Sequence, residues 1–239
     1  MTYSPTAEEF VILGQSPILL KVDPPALKEI VWTATPHKVE RGGFFFHQGE
    51  PANSFFVLID GRTRLSQIAD DGRQVIFHYF GPGDAMGVVA ALAHAQYPVS
   101  AEAMSDSIAL GWDRQTADSL MEKHPRMAIN GMEMVAGRFW ELQNRYRELA
   151  TERVEQRLAH AVLRLSAHYN GCSDTGAAPT LKLSRQDLAE MTGTTLFSVS
   201  RICSDWEQRG ILAPGREQIR ILNKRELEII AEDLLQTDS

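Results

Sequence analysis

Between residues 40 and 110 the apolar positions come in short runs broken by glycine. The runs are Phe44-Phe45-Phe46, Phe55-Phe56-Val57-Leu58-Ile59, Arg64-Leu65-Ser66-Gln67-Ile68, Val75-Ile76-Phe77 and Ile108-Ala109-Leu110. The breaks are Gly42-Gly43, Gln48-Gly49-Glu50-Pro51, Asp60-Gly61, Asp70-Asp71-Gly72 and Gly81-Pro82-Gly83-Asp84. Short runs bounded by Asp-Gly and Pro-Gly pairs predict β-hairpins, because glycine accepts the positive φ of tight turns. Many such strands in succession predict a sandwich or barrel-like roll. Ahead of them, residues 25–33 place Leu27, Ile30 and Val31 on one face of a short helix.

Over 125–150 the period changes. Met132, Val135, Phe139, Leu142, Tyr146 and Leu149 are spaced alternately three and four apart, an a/d heptad stripe. The remainder is polar: Arg138, Glu141, Gln143, Asn144, Arg145, Arg147 and Glu148. The stripe predicts a dimerisation helix of roughly 35 to 40 Å whose seam pairs with a second copy. A core helix packed on its own domain is the other reading. Val154, Leu158, Val162 and Leu165 predict a second helix, and residues 171–179 form a polar, glycine-rich loop. The expected domains are 1–124, 125–150 and 151–239, with a hinge at 150–152.

The most specific stretch is Leu183-Ser184-Arg185-Gln186-Asp187-Leu188-Ala189-Glu190-Met191-Thr192-Gly193-Thr194-Thr195-Leu196-Phe197-Ser198-Val199-Ser200-Arg201-Ile202. Ser184 and Asp187 have capping-box spacing, and Leu188, Ala189 and Met191 give a short helix its inward side. Gly193 supplies the turn, and Thr194 or Thr195 caps a second helix. On that helix Val199, Ile202, Cys203 and Trp206 form a buried stripe, opposite Phe197, Ser198, Arg201, Asp205 and Gln208. Residues 210–222 then suggest two strands of a wing. A helix so mounted fits the major groove, where Arg201 can bond guanine O6 and N7. Ser184, Arg185, Gln186, Thr194, Thr195, Ser198 and Arg216 suit backbone or groove-edge contacts, which fix register.

Composition qualifies this. The net charge of −7 conceals an asymmetry: residues 1–150 hold 13 basic against 18 acidic side chains, and 151–225 hold 11 against 8. A mildly basic segment between acidic ends is compatible with duplex DNA. The start carries Glu8 and Glu9 and only one short apolar patch, so neither a signal peptide nor a membrane span is expected, and the expected location is cytoplasmic. Two cysteines, Cys172 and Cys203, exclude a zinc ribbon and an iron–sulfur cluster held by four cysteines of one chain. Cys203, on the buried stripe, reads as core. Enzymatic turnover is not expected: the Gly81–Gly87 loop misses G-x-G-x-x-G spacing, and there is no H-E-x-x-H, G-x-S-x-G or P-loop.

The chain resembles the Crp/Fnr superfamily of bacterial transcription regulators. The resemblance rests on 184–195, on residues 46–54, on Asp60-Gly61 and on Phe80-Gly81-Pro82-Gly83-Asp84. It implies an α+β fold: an N-terminal cyclic-nucleotide-binding-like β-roll that senses an effector, a long dimerisation helix and a C-terminal winged helix-turn-helix. It further implies a homodimer on a palindromic operator, activation through RNA polymerase and no membrane partner. Residues 184–195 are most similar to the nitric-oxide-responsive NnrR-like and DNR-like branches. The other class of function is a regulatory module of the cyclic-nucleotide-domain type that does not bind DNA.

Two departures from the family pattern matter. Where nucleotide-binding members carry Gly-Glu-Leu and Arg-Ser/Thr-Ala, this chain reads Gly87-Val88-Val89 and Tyr97-Pro98-Val99. Without that arginine a buried phosphate would cost several kcal/mol, so no cyclic AMP response is expected. The implied effector pocket, Gly87, Val88, Tyr97, Pro98, Leu142 and Gln143, is therefore degenerate. Haem is a candidate cofactor through the resemblance, with His37, His47, His78, His94, His124, His160 and His168 as ligands of which none stands out. An apolar ligand, or none, are the alternatives. The second departure is Phe197, where most members have a glutamate that accepts from cytosine. Phenylalanine packs on a thymine methyl instead.

Overall fold

A computed structural model describes residues 5–93, 95–169, 180–215 and 218–233. The chain divides into two compact units, Met1–Glu141 and Leu142–Ser239. In the first, helix α1 (Ala7–Gln15), a 3₁₀ turn (Pro17–Leu19) and helix α2 (Pro24–Trp32) precede the strands β1 (Thr35–Val39), β2 (Phe44–Phe46), β3 (Ser54–Asp60), β4 (Thr63–Ile68), β5 (Gln74–Phe80) and β6 (Ala85–Met86). Helix α3 (Val88–Leu92), strands β7 (Ser100–Ala103) and β8 (Ser107–Asp113) and helices α4 (Arg114–Lys123) and α5 (Pro125–Thr151) follow.

Two antiparallel sheets, ordered β1-β8-β3-β6 and β2-β7-β4-β5, make the roll. The run Phe55 to Ile59 is buried on both faces of β3, so it is apolar without alternation. Phe55, Val57 and Ile59 join a cluster with Leu13, Ile30 and Trp112, and Phe56 and Leu58 join one with Phe46, Phe80 and Tyr97. Trp112 Nε1 donates to the Ile30 carbonyl at 2.9 Å, which ties β8 to α2. Asn130, buried on α5, donates to the Ile18 and Leu20 carbonyls and so anchors the start of that helix.

The turn signals are borne out as turns but not all as hairpins. Asp70-Asp71-Gly72 does join the paired strands β4 and β5. Asp60-Gly61 instead carries the chain from one sheet to the other, because β3 pairs with β6 and β8 while β4 pairs with β5 and β7. A Cβ on Gly61 would lie 2.6 Å from the Asp106 carbonyl, so the residue is fixed by a close approach as well as by its φ of +93°. Gly81-Pro82-Gly83-Asp84 likewise crosses between sheets. Glycine marks where the chain reverses, not which strand it then meets.

In the second unit helix α6 (Val154–Tyr169), strand β9 (Thr180–Leu181), helices α7 (Arg185–Thr192) and α8 (Leu196–Gln208), strands β10 (Leu212–Gly215) and β11 (Gln218–Ile221) and helix α9 (Lys224–Ala231) follow the end of α5. The three strands form a small antiparallel sheet ordered β10-β11-β9, and α9 packs on α6. Helix α5 spans Pro125–Thr151, and the two compact units divide between Glu141 and Leu142. Among the described residues no helix is long and apolar enough to cross a membrane.

Candidate nucleic-acid interface

The two helices α7 and α8 are built by local chemistry. Ser184 Oγ accepts from Asp187 N at 3.1 Å while Asp187 Oδ2 accepts from Ser184 N at 2.7 Å, a complete capping box. Helix α7 buries Leu188, Ala189 and Thr192. Thr192, not Met191, is the third inward residue: its hydroxyl donates to the Leu188 carbonyl at 2.6 Å, which lets a polar side chain be buried, while Met191 is half-buried. Gly193 ends the helix with φ +62° and ψ +41°, a left-handed cap. Thr195, rather than Thr194, caps α8, accepting from Ser198 N at 3.2 Å.

Val199, Ile202, Cys203 and Trp206 are all buried on α8. Trp206 Nε1 donates to Glu155 Oε1 on α6 at 2.9 Å. Burial pushes the Cys203 thiol up to about 11, so it packs as an inert core residue. The opposite face turns outward: Phe197 is 79 % exposed, and Arg201 is exposed with no carboxylate partner among the described residues. Ser198 Oγ lies 3.0 Å from Thr195 Oγ1 and is engaged in the cap. Strands β10 and β11 pair antiparallel from Leu212↔Ile221 to Gly215↔Gln218, which is the wing; Arg216 lies outside the described residues.

Two expected contact residues are tied up within the fold. Arg185 Nη2 pairs with Glu207 Oε1 at 2.5 Å, and Gln186 Nε2 donates to Glu190 Oε1 at 2.8 Å. Arg157 carries a role that sequence reasoning missed. It donates to the Thr192 carbonyl at 3.3 Å and the Glu152 carbonyl at 2.9 Å, bracing α7 against the start of α6. Arg164 holds the buried Glu148 at 2.6 Å. Leu196 was also missed. It is 46 % exposed at the first position of α8, next to Phe197 in the chain and on the flank of the buried stripe, three residues before Val199.

Residues 36–124 match the cyclic nucleotide-binding domain family, and residues 156–230 match the Crp-like helix-turn-helix domain family. The chain belongs to the Crp/Fnr family of transcription regulators. Among the relatives of this Crp/Fnr regulator, the transcriptional activator protein Anr of Pseudomonas aeruginosa is 26% identical over 216 residues, 90% of this chain and 87% of that protein. The CRP-like cAMP-activated global transcriptional regulator of Mycobacterium tuberculosis is 25% identical over 200 residues, 83% and 89% of the two chains. The structure of FixK2 from Bradyrhizobium japonicum superposes with a TM-score of 0.71 at 24% identity, covering 82% of this chain and 96% of that one.

In the roll of this Crp/Fnr chain, Tyr97 is 5 % exposed and lies on Phe46 with ring centroids 3.9 Å apart. Its hydroxyl donates to the Ser54 carbonyl and accepts from Ser54 N. A Cβ on Gly87 would lie 3.1 Å from the Tyr97 ring. Val88 is buried in the other cluster, with Leu13 and Trp112, and Pro98 is exposed. Leu142 and Gln143 are exposed on α5 within the second unit. So Gly87 and Tyr97 come together, and Val88 does not join them.

Proposed function

We propose that this Crp/Fnr regulator is a homodimer that reads a palindromic operator with α8 and answers a signal other than cyclic AMP. The observation that carries the reading is the two-sided α8, with Trp206 and Val199 fully buried on one side and Phe197 and Arg201 exposed on the other, Arg201 without a carboxylate partner among the described residues. An exposed arginine on a capped helix suits bidentate recognition of guanine. The heptad residues Met132, Val135, Phe139, Leu142, Tyr146 and Leu149 are 41–74 % exposed. Such a contiguous apolar stripe favours pairing with a second copy. Paired seams would set two reading helices about 34 to 36 Å apart, one turn of duplex. Promoter activation through RNA polymerase follows the name of the Pseudomonas relative, an activator.

The filled space around Tyr97 argues against cyclic AMP, the effector named for the mycobacterial relative. The residues do not fit that ligand: the phosphate would meet a phenol held by Ser54 instead of a guanidinium. Haem-borne nitric oxide rests only on the likeness of 184–195 to that branch. The described histidines have other neighbours: His37 packs on Phe56, His47 on Phe44, His78 on Phe80, His124 near Glu29 and His160 near Glu152. The test joins sedimentation, gel shifts with promoter DNA and calorimetry with cyclic AMP. We expect a dimer, a retarded duplex and no saturable heat. A monomer that ignores duplex DNA at low salt, with and without haem and nitric oxide, overturns the proposal.

A further inference from the structure

In the DNA-binding unit from Thr180 onward, the exposed large apolar side chains are Leu196, Phe197 and Leu222 among the described residues. Two of the three are consecutive, at the first two positions of α8. Exposing a leucine and a phenylalanine side by side is unfavourable unless something covers them. The covering partner is indicated by what shares the surface. Arg201 stands one helical turn beyond Phe197 on the same side, exposed and without a carboxylate partner among the described residues. Ser198, next to Phe197 in the chain, has its hydroxyl engaged by Thr195. The start of this helix therefore offers carbon, and one turn on it offers a guanidinium.

We propose that Leu196 and Phe197 form a reader of pyrimidine C5-methyl groups, which takes thymine and 5-methylcytosine alike. The inference rests on the DNA-binding reading above and adds the chemistry of the base that is read. In the major groove the one apolar group on a base edge is the C5-methyl of thymine. Methylated cytosine presents the same group at the same carbon. A glutamate at the second helical position would accept from the cytosine amino group; phenylalanine cannot, and gains only from the methyl. Phe197 and Arg201 are four residues apart, about 6 Å along the axis. That is close to two base-pair steps of about 3.4 Å. The methyl thus lies within about two base pairs of the guanine that Arg201 reads. Cytosine methylation there raises affinity instead of blocking it.

The test begins with selection of bound duplexes from a random library by the full-length chain. Each thymine of the selected half-site is then replaced by uracil, which deletes only the methyl. Cytosine and 5-methylcytosine are compared at the same positions, and affinity is read by fluorescence anisotropy. Removing one methyl should weaken binding roughly four-fold, the equivalent of ~0.8 kcal/mol per buried carbon. 5-Methylcytosine should exceed cytosine by a similar factor, and Phe197→Ala should erase both differences. Leu196→Ala should shrink them. Equal binding of thymine and uracil duplexes throughout the half-site overturns this inference and leaves the DNA reading intact. So does a Phe197→Ala chain that keeps the methyl increment, since the apolar pair then belongs to a protein partner. A chain that selects no duplex overturns both.

Discussion

At two places in this molecule an aromatic ring stands where the Crp/Fnr pattern has a charged group that grips something. Tyr97 replaces an arginine in the roll and Phe197 a glutamate on the reading helix. They end in opposite settings: Tyr97 is 5 % exposed against Phe46, and Phe197 is 79 % exposed. The first ring stacks on Phe46 and is fastened there by Ser54. The second is held out on a rigid platform. On the function proposed above, the same kind of substitution closes one site and re-specifies the other, and surroundings decide which. An interior position with a hydrogen-bond partner absorbs an aromatic ring; a helix face opposite a buried stripe displays it.

The largest effect expected is on the platform. Trp206 is fully buried, and Trp206→Ala should cost about 3–5 kcal/mol in urea unfolding of the DNA-binding unit. Phe197→Ala, nine residues earlier, should move stability by less than about 0.5 kcal/mol. If the two variants unfold alike, Phe197 is packed rather than displayed, and the contrast with Tyr97 is lost. Next is Arg201→Ala, which should weaken operator binding by about 1–3 kcal/mol and relax preference at one base pair. An unchanged site preference would take α8 out of base reading. Smaller again is Tyr97→Phe. It deletes the bonds to Ser54 but keeps the ring, so it should cost about 1 kcal/mol in stability and create no cyclic AMP binding. A variant that binds the nucleotide would mean that the hydroxyl, not the filled space, closes the roll.

The reading helix was legible because its determinants are local. A capping box, a left-handed glycine and a stripe at three-and-four spacing all lie within about twenty-five residues, and each acts on its neighbours. The roll was legible as strands but not as pairings, since Gly61 reports a reversal and not the sheet that follows. Strands β1, β6, β7 and β9 and helices α1, α3, α4 and α9 escaped notice. They are short or largely polar, and α4 turns inward only Ala117 and Leu120. Arg185 was read as a phosphate contact because its partner, Glu207, lies 22 residues away. Leu196 could have been found as an apolar residue at the first turn of α8, had exposed apolar residues been sought beside Phe197.

The smallest expected effect separates the roll from the reading helix by pH. Burial beside Phe56, and close to Gly111, holds the His37 imidazole below its ordinary value of 6.5. The folded chain therefore resists a proton that the unfolded chain takes up readily. Above about pH 6.5 both states are neutral at this residue, and nothing is lost. As the pH falls below that value the unfolded state binds more protons, and stability declines until the folded-state value is passed. Replacing His37 with glutamine removes the titrating group. Unfolding of the roll in urea at pH 8 and pH 5.5 should then show a smaller decline in His37→Gln than in the parent, while operator affinity keeps the same pH dependence in both. Equal declines in the two proteins would mean that the His37 site is wet enough to accept the proton, and that the dry interior around Tyr97 and Phe46 does not extend to it.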